Sequence, residues 1–123
     1  MSAGAPRQVV IGLDVGTTGV KAAAFGLDGP WRRLALREYP LLEPAPGQAV
    51  QDPGAITAAA QDALAECVAA AGAARVQAIS VSAAMHGLMA LDAEHRPITP
   101  LIAWADARAD PEARELRRDG RAR

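Results

Sequence analysis

Aromatic side chains are scarce in this sequence: Phe, Trp and Tyr together make up 3% of its 123 residues. Any core must therefore be built from Val, Ile, Leu and Ala. Such small side chains bury little apolar area each, so the core is thin for a stand-alone domain of this length. Cysteine occurs once, at Cys67; no internal disulfide can form, and no Cys/His cluster has metal-site spacing. Lysine also occurs once, at Lys21. No apolar run is long enough to span a bilayer, and residues 1–8 lack the apolar stretch of a signal peptide, so a cytoplasmic location is the expectation. Net charge is also missing: the formal value of −1 gives no broad electrostatic reason to expect nucleic acid or an anionic membrane as partner.

What remains is globular material, 50% apolar and 22% charged, of a length that fits one domain. Residues 1–7 are expected to be a disordered lead and residues 8–123 the folded part. Residues 8–14 read as an apolar strand buried on both faces. Gly16-Thr17-Thr18-Gly19 breaks that strand as a turn, residues 20–27 resume it, and Asp28-Gly29 signals a hairpin. Residues 31–39 alternate as a third strand, and a Pro-rich loop follows to Gln51. Asp52-Pro53 starts a helix, with Asp as the cap and Pro at the first helical position. Its apolar stripe is Ile56, Ala60, Ala63, Leu64, Cys67, Val68 and Ala71, with Gly72 at the C-terminal cap. Cys67 on that stripe reads as a small core residue. Residues 76–83 alternate as a strand, residues 88–91 form a short one, and Asp110-Pro111 opens a last helix. The fold class is therefore α/β, beginning with an antiparallel meander.

Chemistry concentrates at Asp14-Val15-Gly16-Thr17-Thr18-Gly19. The glycines allow backbone N–H groups to approach an anion and allow φ > 0. Thr17 and Thr18 add hydroxyl donors, Asp14 can hold Mg²⁺ directly or through water, and Lys21 adds a positive charge. A ligand-free hairpin with a Gly-Thr-rich turn explains the same residues. The spacing matches neither a Walker A loop nor a dinucleotide fingerprint.

The run Ile11 to Lys21 resembles the first phosphate motif of the actin-like ATPase superfamily, whose core is ribonuclease-H-like. The resemblance implies ATP and Mg²⁺ as cofactors. Asp14 would be the metal-associated residue, Gly16, Thr17, Thr18, Gly19 and Lys21 would serve the phosphates, and the hydroxyls would sit at the β- and γ-phosphates. Two further segments are similar to the FGGY carbohydrate kinases: Ser80 to Gly87, with its Met85-His86 pair, and Pro97 to Arg108, with its Trp-x-Asp-x-Arg element. They imply a sugar site drawing on Met85, His86, Trp104, Asp106 and Arg108, and they disfavour a chaperone-like ATPase. Chemically, an indole packs against a sugar's C–H face, a histidine can exchange hydrogen bonds with hydroxyls, and Arg108 can pair with an anionic substrate or with Asp106. Each residue also has a structural reading: Trp104 as a core anchor, Asp106 and Arg108 as an ion pair ordering a loop, and His86 and His95 as surface groups.

Within that family the Ser-Ala-Ala-Met-His and Trp-Ala-Asp-Ala-Arg segments are most similar to gluconate kinases, with xylulose or another polyol as the alternative substrate. The resemblance places the catalytic aspartate, the second phosphate motif and the adenosine pocket beyond residue 123, so no catalytic base is assigned here. The chain is accordingly expected to be an incomplete N-terminal domain, inactive by itself. A non-catalytic binding module or a gene remnant is the other expectation.

Overall fold

The computed structural model describes residues 6–121. Of the lead expected to be disordered, residues 1–5 lie outside that range; Pro6 is buried, and the Arg7 backbone N–H donates to Asp28 Oδ2 at 3.0 Å. The chain divides into two compact units, one of residues 1–40 and 53–84 and one of residues 41–52 and 85–123.

The first unit is a four-stranded sheet with one helix. Strands β1 (Val9–Val15), β2 (Gly19–Gly26) and β3 (Arg32–Glu38) form the antiparallel meander. Helix α1 (Pro53–Ala71) and a 3-10 turn (Ala73–Arg75) lead to β5 (Val76–Ala83), which pairs in parallel with β1. The strand order is β3-β2-β1-β5. Gly72 has φ +85°, which suits the reversal after α1.

Helix α1 packs across β1, β2 and β3. Its fully sheltered seam is Ala59, Ala63, Cys67 and Ala71, an i, i+4 row in which small residues let the helix lie close to the strands. Ile56, Leu64 and Val68 flank that row half-buried. The opposing sheet residues are Val9, Ile11, Leu13, Val20, Ala22, Ala24 and Ala35. Cys67 is fully buried, and burial pushes its thiol pKa up. Glu66 fastens the helix to β3 by accepting from Arg33 Nη2 at 2.6 Å and Arg37 Nη2 at 2.9 Å.

Two expectations are corrected. Strand β1 is buried on one face only: Val9, Ile11 and Leu13 are sheltered, while Gly12 and Asp14 are exposed. Its pattern of apolar residues is continuous, but α1 covers a single face. The hairpin signalled by Asp28-Gly29 is present: β2 pairs antiparallel with β3, and Gly26 N–H donates to the Trp31 carbonyl at 2.9 Å across the loop. Within the loop before Asp52, Val50–Gln51 forms a short strand, β4.

The second unit contains β4, β6 (Leu101–Ile102) and α2 (Asp110–Arg118). Val50 pairs with Ile102 and Gln51 with Leu101, antiparallel. The expected strand at residues 88–91 is reduced to isolated bridges, Leu88 with Ile102 and Leu91 with Pro97. Asp92 organises the turn between them, accepting the N–H groups of Glu94 and Arg96 on Oδ1 and the Arg96 side chain on Oδ2. The Arg96 backbone N–H first, and the Arg96 side chain next, hold this carboxyl below its ordinary pKa. His95 takes φ 60° in that turn and is exposed.

Candidate functional site

The turn between β1 and β2 is closed by Gly16 N–H donating to the Gly19 carbonyl at 2.9 Å. Neither glycine lies in the left-handed region, contrary to expectation, and the need for Gly at position 19 is steric. A Cβ there would stand 2.4 Å from the Arg37 carbonyl oxygen and 3.2 Å from Glu38 Cα. The turn is thus pressed against the end of β3. Tyr39, just past that strand, donates its backbone N–H to the Thr18 carbonyl at 3.3 Å and its phenol O–H to the Gly16 carbonyl.

Asp14 lies near the carboxyl end of β1, on the face away from α1. Its parallel-register partner is Ser82 on β5, whose Oγ donates to Asp14 Oδ1 at 2.8 Å. Its antiparallel partner is Lys21 on β2. The carboxyl ends of adjacent parallel strands are where open α/β sheets receive ligands. Asp14, Lys21, Gly12, Leu34, Ser80 and Ser82 border an open hollow of about 350 Å³ on this face. The structure therefore brings Asp14 and Lys21 together beside the turn and adds Ser82 and Tyr39, which lie outside the Asp14–Lys21 motif. Tyr39 had one legible signal: it is the sole tyrosine, at the end of the third strand segment, and a buried phenol needs a hydrogen-bond partner.

Met85, His86, Trp104, Asp106 and Arg108 all belong to the second unit. Leu88 N–H donates to the Ile102 carbonyl at 2.9 Å and Ile102 N–H to the Leu88 carbonyl at 2.8 Å. His86 and Trp104 each lie two residues outside this antiparallel bridge, at the same end of it. His86 adopts φ 65°, which histidine tolerates better than branched residues do. Met85 is 70% exposed and Trp104 62% exposed, so the indole is not a core anchor. With few aromatic residues to build with, the chain still leaves one on the surface.

Asp106 is different. Its side chain is only 4% accessible. The carboxylate accepts Ala49 N–H on Oδ2 at 2.8 Å, and on Oδ1 it accepts the Arg108 backbone N–H at 3.1 Å and Nε at 2.9 Å. Arg108 Nη2 adds an ion pair at 2.9 Å. The Arg108 guanidinium first, and the Ala49 amide next, hold this carboxyl well below the usual carboxylate range. Ala103 N–H to the Ala49 carbonyl and Ala107 N–H to the Gly47 carbonyl join the same two segments. Asp106 and Arg108 thus order the Trp104 segment against the Pro-rich loop.

Comparison with known proteins shows the family. The FGGY family of carbohydrate kinases, N-terminal domain, matches residues 9–123. The chain belongs to the FGGY family. It is 34% identical over 110 residues to the gluconokinase of Bacillus subtilis (strain 168), covering 89% of this chain and 21% of that protein. It is 36% identical over 116 residues to the xylulose kinase of Streptomyces coelicolor, covering 91% and 23%. Among solved structures, gluconate kinase from Lactobacillus acidophilus superposes with a TM-score of 0.85 at 31% identity, covering 92% of this chain and 23% of that one. The fold is thus that of an FGGY kinase N-terminal domain, within the ribonuclease-H-like class. The chain spans about a fifth to a quarter of the length of the relatives it matches.

Proposed function

We propose that this chain supplies the phosphate turn of an ATP-dependent carbohydrate kinase whose acceptor is D-gluconate, converted to 6-phosphogluconate. The observation that carries this reading is the placement of Asp14 beside Ser82 and the Gly16–Gly19 turn, at the carboxyl ends of two parallel strands, in a chain of the FGGY family. In this reading Gly16, Thr17, Thr18 and Gly19 receive phosphate oxygens, and Lys21 offsets their charge.

Asp14 is proposed to hold Mg²⁺, directly or through water. One carboxylate with a neighbouring hydroxyl, and no cluster of three acidic or histidine side chains among the described residues, suits an ion that keeps several waters and takes its other oxygens from phosphate. Mg²⁺ would neutralise charge on the transferring phosphoryl group. Met85, His86 and Trp104 are proposed to contact the sugar. Asp106 and Arg108 support them by ordering the Trp104 segment. A cytoplasmic location accompanies ATP as donor; no helix among the described residues is long and apolar enough to cross a membrane.

Gluconate is favoured by the Ser80–His86 and Trp104–Arg108 segments. Xylulose is the second reading, supported by xylulose kinases of comparable identity. Calorimetric titration of MgATP into the wild-type chain and Asp14→Asn tests the phosphate assignment. Loss of one charge-assisted contact should weaken binding by about tenfold or more, and equal affinities would refute it. Trp104 fluorescence in a Trp31→Phe background, titrated with gluconate, xylulose and glycerol, ranks the acceptors. His86→Ala should weaken the preferred one, and unchanged binding would remove His86 from the sugar site.

A further inference from the structure

We propose that Tyr39 is a positioning residue of the phosphate turn, holding the Gly16–Thr17 peptide and its Thr17 N–H in one fixed direction for a phosphate oxygen. The inference rests on the phosphate-turn reading and adds a residue outside the recognised motif.

Tyr39 grips the turn twice, through its phenol O–H to the Gly16 carbonyl and through its backbone N–H to the Thr18 carbonyl. Across a trans peptide the C=O and the following N–H point in opposite directions, and no described peptide bond is cis. Anchoring the Gly16 carbonyl on the phenol therefore directs the Thr17 N–H away from Tyr39. A preset donor binds an anion without the cost of ordering the turn at the moment of binding.

The ring sits 7% exposed in the core cluster, so its hydroxyl is held in place by packing. A Val, Leu and Ala core would accept Phe at this position, which makes the O–H the informative atom. Burial, and next the negative charge of Asp14, push the phenol pKa up, so the group remains a donor well into alkaline solution.

Because Tyr39 is the sole tyrosine, its titration can be followed directly by tyrosinate absorbance in the unmodified chain. A midpoint above the ordinary value of about 10 is expected, and one at or below it would overturn the buried, carbonyl-bound phenol. Tyr39→Phe then tests the positioning role. Amide exchange at Gly16 should accelerate about fivefold to tenfold, the loss of one net hydrogen bond, while exchange at Ile11 and Ala22 stays as in wild type. Unchanged exchange at Gly16 would overturn the proposal, whatever the ligand. MgATP affinity should fall by a similar factor, with the unfolding midpoint lowered by no more than that one hydrogen bond accounts for; a loosened turn with full affinity would also overturn it. Should the wild-type chain bind no MgATP, the phosphate reading would fail, and the exchange result would still decide whether Tyr39 orders the turn.

Discussion

Replacing Gly19 by alanine probes the junction between the Gly16–Gly19 turn and β3. The added Cβ would meet the Arg37 carbonyl oxygen at 2.4 Å, the Arg37 carbonyl carbon at 3.3 Å and Glu38 Cα at 3.2 Å. All three are backbone atoms, so no flexible side chain can swing aside. An ordinary contact begins near 3.4 Å, so the end of β3 must retreat by about 1 Å. That retreat lengthens the Tyr39 N–H bond to the Thr18 carbonyl, already 3.3 Å. Overpacking of this kind costs about 1–3 kcal/mol, and the weakened hydrogen bond adds up to about 1 kcal/mol. With a urea m-value of about 1.5 kcal/mol/M for a chain of this size, a loss of about 2 kcal/mol lowers the unfolding midpoint by about 1.3 M. Gly12→Ala is the matched control, because nothing lies within 4 Å of its added Cβ; its midpoint should correspond to a change within about 0.5 kcal/mol. Equal midpoints for Gly19→Ala and Gly12→Ala would refute the packing of the turn against β3.

Two further outcomes follow from the helix α1 contacts. Hydrogen bonds from Arg37 and then Arg33 lower the Glu66 pKa, so this bridge stabilises the fold above the carboxyl's unfolded value and fades as pH falls through the lower folded one. Denaturation of Glu66→Gln should therefore show a deficit at neutral pH that shrinks in acid, and a deficit independent of pH would argue against the bridge. The buried Cys67 thiol, with its raised pKa, should react with a thiol reagent only as the chain unfolds; rapid labelling of the native chain would contradict its place in the core.

Much of the first unit was legible because local signals agree with the final packing. The three meander strands, the Asp52-Pro53 helix start and the Gly72 stop each rest on period, cap or turn chemistry within a few residues. Helix α1 shows the limit of that kind of reading. The expected stripe contained Ala63, Cys67 and Ala71 but passed over Ala59, which the close approach of the strands buries. Strand β4 was unreadable because two residues in a proline-rich loop acquire strand geometry only by pairing with Leu101 and Ile102. The exposure of Trp104 was not readable from sequence either, since burial depends on what surrounds an indole and not on its size.

The amino-acid sequence by itself determined the family of this chain. A strand ending in Asp14, a Gly-Thr-Thr-Gly turn and a following strand form a local unit, and the Met-His and Trp-x-Asp-x-Arg segments mark the family. Tertiary structure decided which groups meet. It set Ser82 against Asp14 through a parallel pairing 68 residues apart, placed Tyr39 beneath the turn, and brought the Ala49 amide to the Asp106 carboxylate. Such encounters depend on strand register and on which face the helix covers, and neither is encoded within any short window of the chain.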